Sequence, residues 1–196
     1  MMQPIDLFNS YKELYEESFI IKPVETDEGF SVILEENDKS TKLREITIYN
    51  VPQNSLLFPL HEYSKLALGE KLKNIINAER GVFKCCDYLL VSLTKDGIYL
   101  IFIELKSNKI ERSHIIQQFK GASCFIEYCH AIIKHFYDKS LHESPTLNMR
   151  YVLVSRQNFN KTPTNKNIEF SRPDCYYHHK VGNNEVKASA PFGRFR

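Results

Sequence analysis

The feature that most constrains this chain is an apolar run, Ile98 to Ile103, that passes directly into Glu104 and Lys106. Both alternating faces of the run are apolar, which is typical of a central strand covered on its two sides. Residues two apart on a strand point to the same face, so the carboxylate and the ammonium should project together. A buried strand that ends in two charged side chains predicts a functional site at that end.

A second β-rich run, residues 82–92, carries Asp87, and Asp96-Gly97 separates the two runs. Asp-Gly between such segments is a strong hairpin signal. If the turn is centred immediately before Asp96, Asp87 faces Glu104 across the hairpin. If the centre lies one position later, Asp87 faces Lys106. Either register brings the three side chains together, since opposed Cβ atoms lie about 4.5–5.5 Å apart and diagonal ones about 7–8 Å.

The two facing carboxylates predict a bound cation. They repel each other, and partial burial raises the cost of ionising both. With Lys106 as the single nearby ammonium, one negative charge remains. Oxygen ligands suit Mg²⁺ or Mn²⁺, which keep several waters and often complete their shell with substrate phosphate. Such an ion lowers the pKa of a bound water and stabilises charge on a phosphate, while Lys106 orients or helps deprotonate the attacking water.

The remaining patterns predict an α/β fold in which helices cover a mixed sheet. Helices are predicted over residues 5–17, over Glu62 to Ala78, and along an apolar stripe from Ile115 to Phe136. Strands are predicted at Phe19–Val24, Phe30–Leu34 and Ile46–Val51, which form a meander, at Met149–Ser155, and at Cys175–Tyr177; a loop is predicted between Pro52 and Pro59. A chain of 196 residues fits one compact domain, in which 1–60 form an extension packed on a core of 61–196.

Asp87, followed by Glu104-Leu105-Lys106 at the end of a hydrophobic strand, resembles the PD-(D/E)XK signature of restriction-endonuclease-like nucleases, with Cys86 in place of the proline. The resemblance covers roughly residues 62–155. It implies a restriction-endonuclease-like core, a mixed central sheet flanked by helices, with the N-terminal helix and meander as an extension. It also implies that Asp87, Glu104 and the backbone carbonyl of Leu105 bind the metal, and that Lys106 assists the attacking water.

Further elements of that family have candidates here. Several branches place a glutamine on the helix after the lysine, and of Gln117 and Gln118 we select Gln118 as catalytic. Many members carry another acid on the helix before the first catalytic strand, for which Glu70 and Glu79 are candidates and Glu70 is preferred as a metal ligand. The alternative is that these are ordinary polar helix positions.

Contacts to nucleic acid are predicted for Lys109, Arg112 and Lys120, although a solvated helix face explains these side chains as well. The net charge of +2 permits a nucleic-acid partner without requiring one. The cysteines and histidines from Cys124 onward invite a zinc site, but they contain no close CxxC pair. The chain has five cysteines, and this odd number predicts a reducing, cytoplasmic setting rather than a disulfide scaffold.

These observations predict a metal-dependent nuclease that hydrolyses phosphodiester bonds, with DNA as the expected substrate, no membrane association, and a homodimer as one arrangement for cutting both strands. One alternative is a catalytically inactive nucleic-acid-binding or assembly module of the same fold. Another is an RNA-directed or defence-system effector nuclease. A third interpretation treats Asp87, Glu104 and Lys106 as a structural ion-pair network.

Overall fold

A computed structural model of the protein describes residues 3–36, 43–60, 84–107, 110–137, 147–156, 170–182 and 187–196. Within them the helices are α1 (Pro4–Leu14) and α2 (Arg112–Phe136), and the strands are β1 (Val24–Thr26), β2 (Gly29–Glu35), β3 (Glu45–Val51), β4 (Ser55–Pro59), β5 (Tyr88–Thr94), β6 (Gly97–Lys106), β7 (Leu147–Ser155), β8 (Tyr177–Lys180) and β9 (Lys187–Pro191). The predicted helix over 62–78, with Glu70, as well as Glu79 and Lys109, lies outside these ranges.

The strands form two mixed sheets, so the chain has an α/β fold. One sheet has five strands in the order β4-β5-β6-β7-β8, and the other has four in the order β1-β2-β3-β9. The strand β6 lies in the middle of the five-stranded sheet, antiparallel to β5 and parallel to β7. From Gly97 to Leu105 every residue of β6 is buried, which confirms the prediction of a central strand.

The two faces of the five-stranded sheet are covered by different layers. The helices α1 and α2 pack on one face, where apolar residues such as Phe119 and Ile126 meet Leu100 and Phe102. Neither of these helices is long and apolar enough to cross a membrane.

The four-stranded sheet covers the other face, through the apolar side of β2 and β3. The prediction of a central sheet flanked by helices is therefore wrong for this face, as far as the described residues extend. The reason is that alternate residues of β2 and β3, including Leu34 and Ile46, are fully buried against Ile101 and Ile103. The meander is thus a packed layer of the fold.

Other differences concern short segments with weak local signals. Residues 19–24 were predicted as a strand, but Glu17–Phe19 form a 3₁₀ turn and Ile21 makes an isolated bridge to Leu57. The predicted loop before Pro59 is instead β4, an edge strand, where a proline is tolerated. The predicted Cys175–Tyr177 strand shares only Tyr177 with β8, and β9 lies beyond it; both strands are too short for a clear periodicity.

Candidate active site

The β5–β6 hairpin decides which residues face each other. Thr94 pairs with Gly97 at the turn, and Tyr88 pairs with Ile103 at the open end. Asp87, one residue before β5, therefore lies level with Glu104, as the first of the two predicted registers requires, and the register that opposes it to Lys106 is wrong. Gly97 permits the tight connection because it has a φ of +116°, which is strained for other residues.

Asp87 is held against the backbone of β6. Its Oδ2 atom accepts a hydrogen bond of 2.7 Å from the backbone N–H of Leu105. This bond lies between the two charged residues of the strand end, Glu104 and Lys106. The carboxylate of Asp87 is therefore fixed beside both of them by the end of the hairpin.

Glu104 is a fully buried acid, with 0% of its side chain exposed. Its Oε1 atom forms an ion pair with Lys106, and its Oε2 atom has no hydrogen-bond partner among the described residues. Burial raises the pKa of Glu104 to about 8, and the charge of Asp87 acts in the same direction, while Lys106 and the side chain of Gln118 oppose the rise. At neutral pH the metal-free site therefore favours a protonated Glu104.

Lys106 lies at the mouth of the site, with 29% of its side chain exposed. Partial burial lowers the pKa of Lys106, but the charges of Glu104, Asp87 and Glu36 together outweigh that effect and raise it. The side chain is thus an ammonium ion at physiological pH. This favours a role as a cation that orients water or phosphate over a role as a base.

The helix α2 closes one side of the site because Gly121 lets it approach very closely. A Cβ atom at this position would lie 1.7 Å from the carbonyl oxygen of Lys84, in the segment that leads to Asp87. The contact brings Gln118 to the centre, where 9% of the residue is exposed. Its Nε2 atom donates to the Cys85 carbonyl over 3.4 Å, and its buried Oε1 atom has no partner among the described residues.

The predicted residues therefore separate into two groups. Asp87, Glu104, Lys106 and Gln118 come together, with the backbone of Leu105 beneath them. Gln117 lies further out, where its Oε1 atom accepts a 2.8 Å hydrogen bond from Lys84, and both Arg112 and Lys120 are exposed on α2.

The donor set fits a hard divalent cation with water in its shell. Among the described residues, the buried Oε2 atom of Glu104 and the buried Oε1 atom of Gln118 have no hydrogen-bond donor, an arrangement that a proton or a cation would relieve. In the described part of the chain, no three His, Cys, Asp or Glu side chains are placed to hold one metal ion. Two carboxylates with several waters match the preference of Mg²⁺. The same finding gives no support to a zinc site, and Cys129 is buried in the helix core beside the Tyr15 hydroxyl.

Three further residues near the centre, Lys84, His114 and Glu36, are not predicted from the sequence as site residues. Partial burial is the main reason why the pKa of His114 is lowered, and the nearby positive charges of Lys84 and Lys106 lower it further. The sequence signal for Lys84 is its position three residues before Asp87. Glu36 follows β2 in a polar stretch that carries no local signal of a site.

The arrangement can bind a divalent cation through two acids and can place an ammonium beside it, at the rim of a surface that also carries Lys84 and His114. This is chemistry suited to a phosphate ester. Comparison of the chain with protein-family models, with curated proteins and with solved structures gives no match.

Proposed function

We propose that the protein is a metal-dependent nuclease of the PD-(D/E)XK type that hydrolyses phosphodiester bonds, with DNA as the expected substrate and Mg²⁺ or Mn²⁺ as the cofactor. The single observation that supports this most is the buried Glu104 carboxylate, one oxygen of which has no hydrogen-bond partner in the described part of the chain, and which lies level with Asp87 at the end of the central strand. A buried acid of this kind destabilises the metal-free protein unless it is protonated. Such a cost is typical of a functional site.

In this proposal Asp87 and Glu104 hold the ion, which when bound makes water more acidic and stabilises charge on the phosphate. The hydrogen bond from Leu105 N–H keeps the Asp87 carboxylate in one orientation. Lys106, as an ammonium, orients the attacking water and stabilises the added negative charge of the transition state. Gln118 helps to position the Glu104 carboxylate, since its side chain lies beside it.

The substrate class follows from the charges around the mouth. Lys84 and His114 lie on the α2 side of Lys106, and Arg112 is exposed two residues before His114. A phosphate chain that passes over Lys106 would meet these side chains next. Contacts of this kind bind nucleic acid without reading its sequence.

The test is cleavage of supercoiled plasmid, labelled single-stranded DNA and labelled RNA with Mg²⁺ or Mn²⁺. We expect Glu104→Gln and Lys106→Met to lower the rate at least about a hundredfold. Glu127→Gln is the matched control, because it removes the same charge from an exposed position of α2. Cleavage that persists in Glu104→Gln would contradict the assignment of the centre. Binding of DNA without cleavage by the wild type would instead favour the inactive binding module, and cleavage of RNA alone would redirect the proposal to a ribonuclease.

A further inference from the structure

We infer that Glu36, contributed by the N-terminal four-stranded sheet, is a third acid of the active centre and binds water molecules in the hydration shell of the divalent ion. The inference rests on the proposed function. It assigns the N-terminal sheet a role in that function, since an acid from this layer would reach the centre from the side opposite α2.

The first observation is a tether between the two sheets beside Asp87. The Tyr88 hydroxyl donates a 2.7 Å hydrogen bond to the Glu35 carbonyl and accepts one of 3.0 Å from the Glu35 backbone N–H. Tyr88 directly follows Asp87, and Glu35 directly precedes Glu36. The end of β2 is therefore held at the open end of the β5–β6 hairpin.

A second tether lies on the other flank, beside Lys106. The Ser107 hydroxyl donates a 3.3 Å hydrogen bond to the carbonyl of Leu43, just before β3. The backbone N–H of Glu36 donates a 2.9 Å hydrogen bond to the backbone carbonyl of Arg44. This bond extends the pairing of β2 with β3 one residue past the end of β2. Glu36 therefore keeps a strand-like position between residues that adjoin Asp87 and Lys106.

The strand alternation then gives the direction of the Glu36 side chain. Residues two apart on a strand share a face, and Leu34 is fully buried against the five-stranded sheet. Glu36 therefore points to that same side, whereas Glu35 is exposed on the outer side. In agreement with this direction, Glu36 lies close enough to Lys106 for their charges to interact.

The charge balance of the site indicates how Glu36 would contribute to binding the cation. With Glu104 ionised, three carboxylates and the Lys106 ammonium leave two negative charges, which one divalent cation neutralises. Within the described residues, no third acid is placed to bind the same ion directly. Glu36 would therefore contact the ion through a water molecule, and Mg²⁺ usually retains several waters. The buried Oε2 atom of Glu104 and Oε1 atom of Gln118, which have no partner within the described ranges, mark where the ion would lie.

The test is Mn²⁺ binding without nucleic acid, measured from the electron paramagnetic resonance signal of free Mn²⁺. We expect Glu36→Gln to weaken binding about 10–100-fold, as is usual for groups that orient metal-bound water or ligands. Glu35→Gln is the matched control, since it removes the same charge one residue away on the outer face, and it should bind Mn²⁺ like the wild type. Thermal unfolding of both variants establishes that each is folded.

The outcomes separate this inference from the proposed function. If the wild type cleaves DNA and Glu36→Gln binds Mn²⁺ as the wild type does, the role of Glu36 is wrong and the nuclease proposal stands. Equal weakening by both substitutions would also overturn the inference, because it would reduce Glu36 to a general surface charge. A wild type that binds no Mn²⁺ would remove both proposals.

Discussion

Replacing Glu104 with glutamine should stabilise the metal-free protein in alkaline solution relative to the wild type. Burial, with the charge of Asp87, raises the pKa of Glu104 from 4.5 to about 8. Between these values the folded protein retains a proton that the unfolded chain has released. The free energy of unfolding of the wild type therefore falls as the pH rises from about 4.5 to about 8, and the loss is complete above that.

The magnitude follows from the size of that interval. At about 1.4 kcal/mol for each pH unit, the rise from 4.5 to about 8 corresponds to about 5 kcal/mol. Glutamine does not titrate, so the variant lacks this loss. It also lacks the ion pair with Lys106, but the effect of that pair is already included in the pKa of Glu104. Lys106 itself stays charged between pH 5 and pH 9, because its pKa lies above its ordinary value of 10.5. The pH-dependent difference between the two proteins therefore isolates Glu104.

The assay is urea unfolding at pH 5 and pH 9, with a reductant and a chelator present, followed by circular dichroism because the chain has no tryptophan. The stability of Glu104→Gln relative to the wild type should increase by several kcal/mol between the two pH values, up to about 5 kcal/mol. Glu127→Gln should show no such change. Mg²⁺ added in excess over the chelator should restore the stability of the wild type at pH 9 and leave the stability of Glu104→Gln unchanged. A relative stability that is equal at both pH values would refute the conclusion that Glu104 is a strained buried acid.

Two further substitutions test how the site is held. Gly121→Ala should destabilise the protein by about 1–3 kcal/mol, because the added Cβ atom would clash with the carbonyl of Lys84. In a helix interior without such a contact, the same substitution normally stabilises the protein. The control in thermal unfolding is Gly193→Ala, whose Cβ atom would meet nothing within 4 Å. A neutral or stabilising Gly121→Ala would show that α2 does not lie as close as described. Tyr88→Phe should cost about 1–3 kcal/mol in urea unfolding, because it leaves the Glu35 backbone without its hydroxyl partner, and an unchanged midpoint would contradict this tether.

The sequence could predict the hairpin and the side chains at its end because their signals are local. The continuous apolar run of β6 indicates burial on both faces, and the strand alternation places Glu104 and Lys106 on one face. The Asp96-Gly97 turn limits the residue opposite Asp87 to Glu104 or Lys106, and either register brings the three side chains together. The apolar stripe of α2 was equally clear, since its members from Ile115 to Ile133 are buried. Its last predicted member, Phe136, is exposed at the end of the helix, so the prediction is wrong there.

The tertiary structure alone decided which distant segments complete the site. The choice between the two registers depended on the backbone of the turn, and the place of Gln118 depended on the contact between Gly121 and Lys84. Glu36 reaches the centre because the N-terminal sheet packs on the face where the sequence predicted helices. Such contacts join residues far apart in the chain, and neither strand nor helix periodicity carries information about them, because periodicity describes which face of one element is buried and not which element covers it.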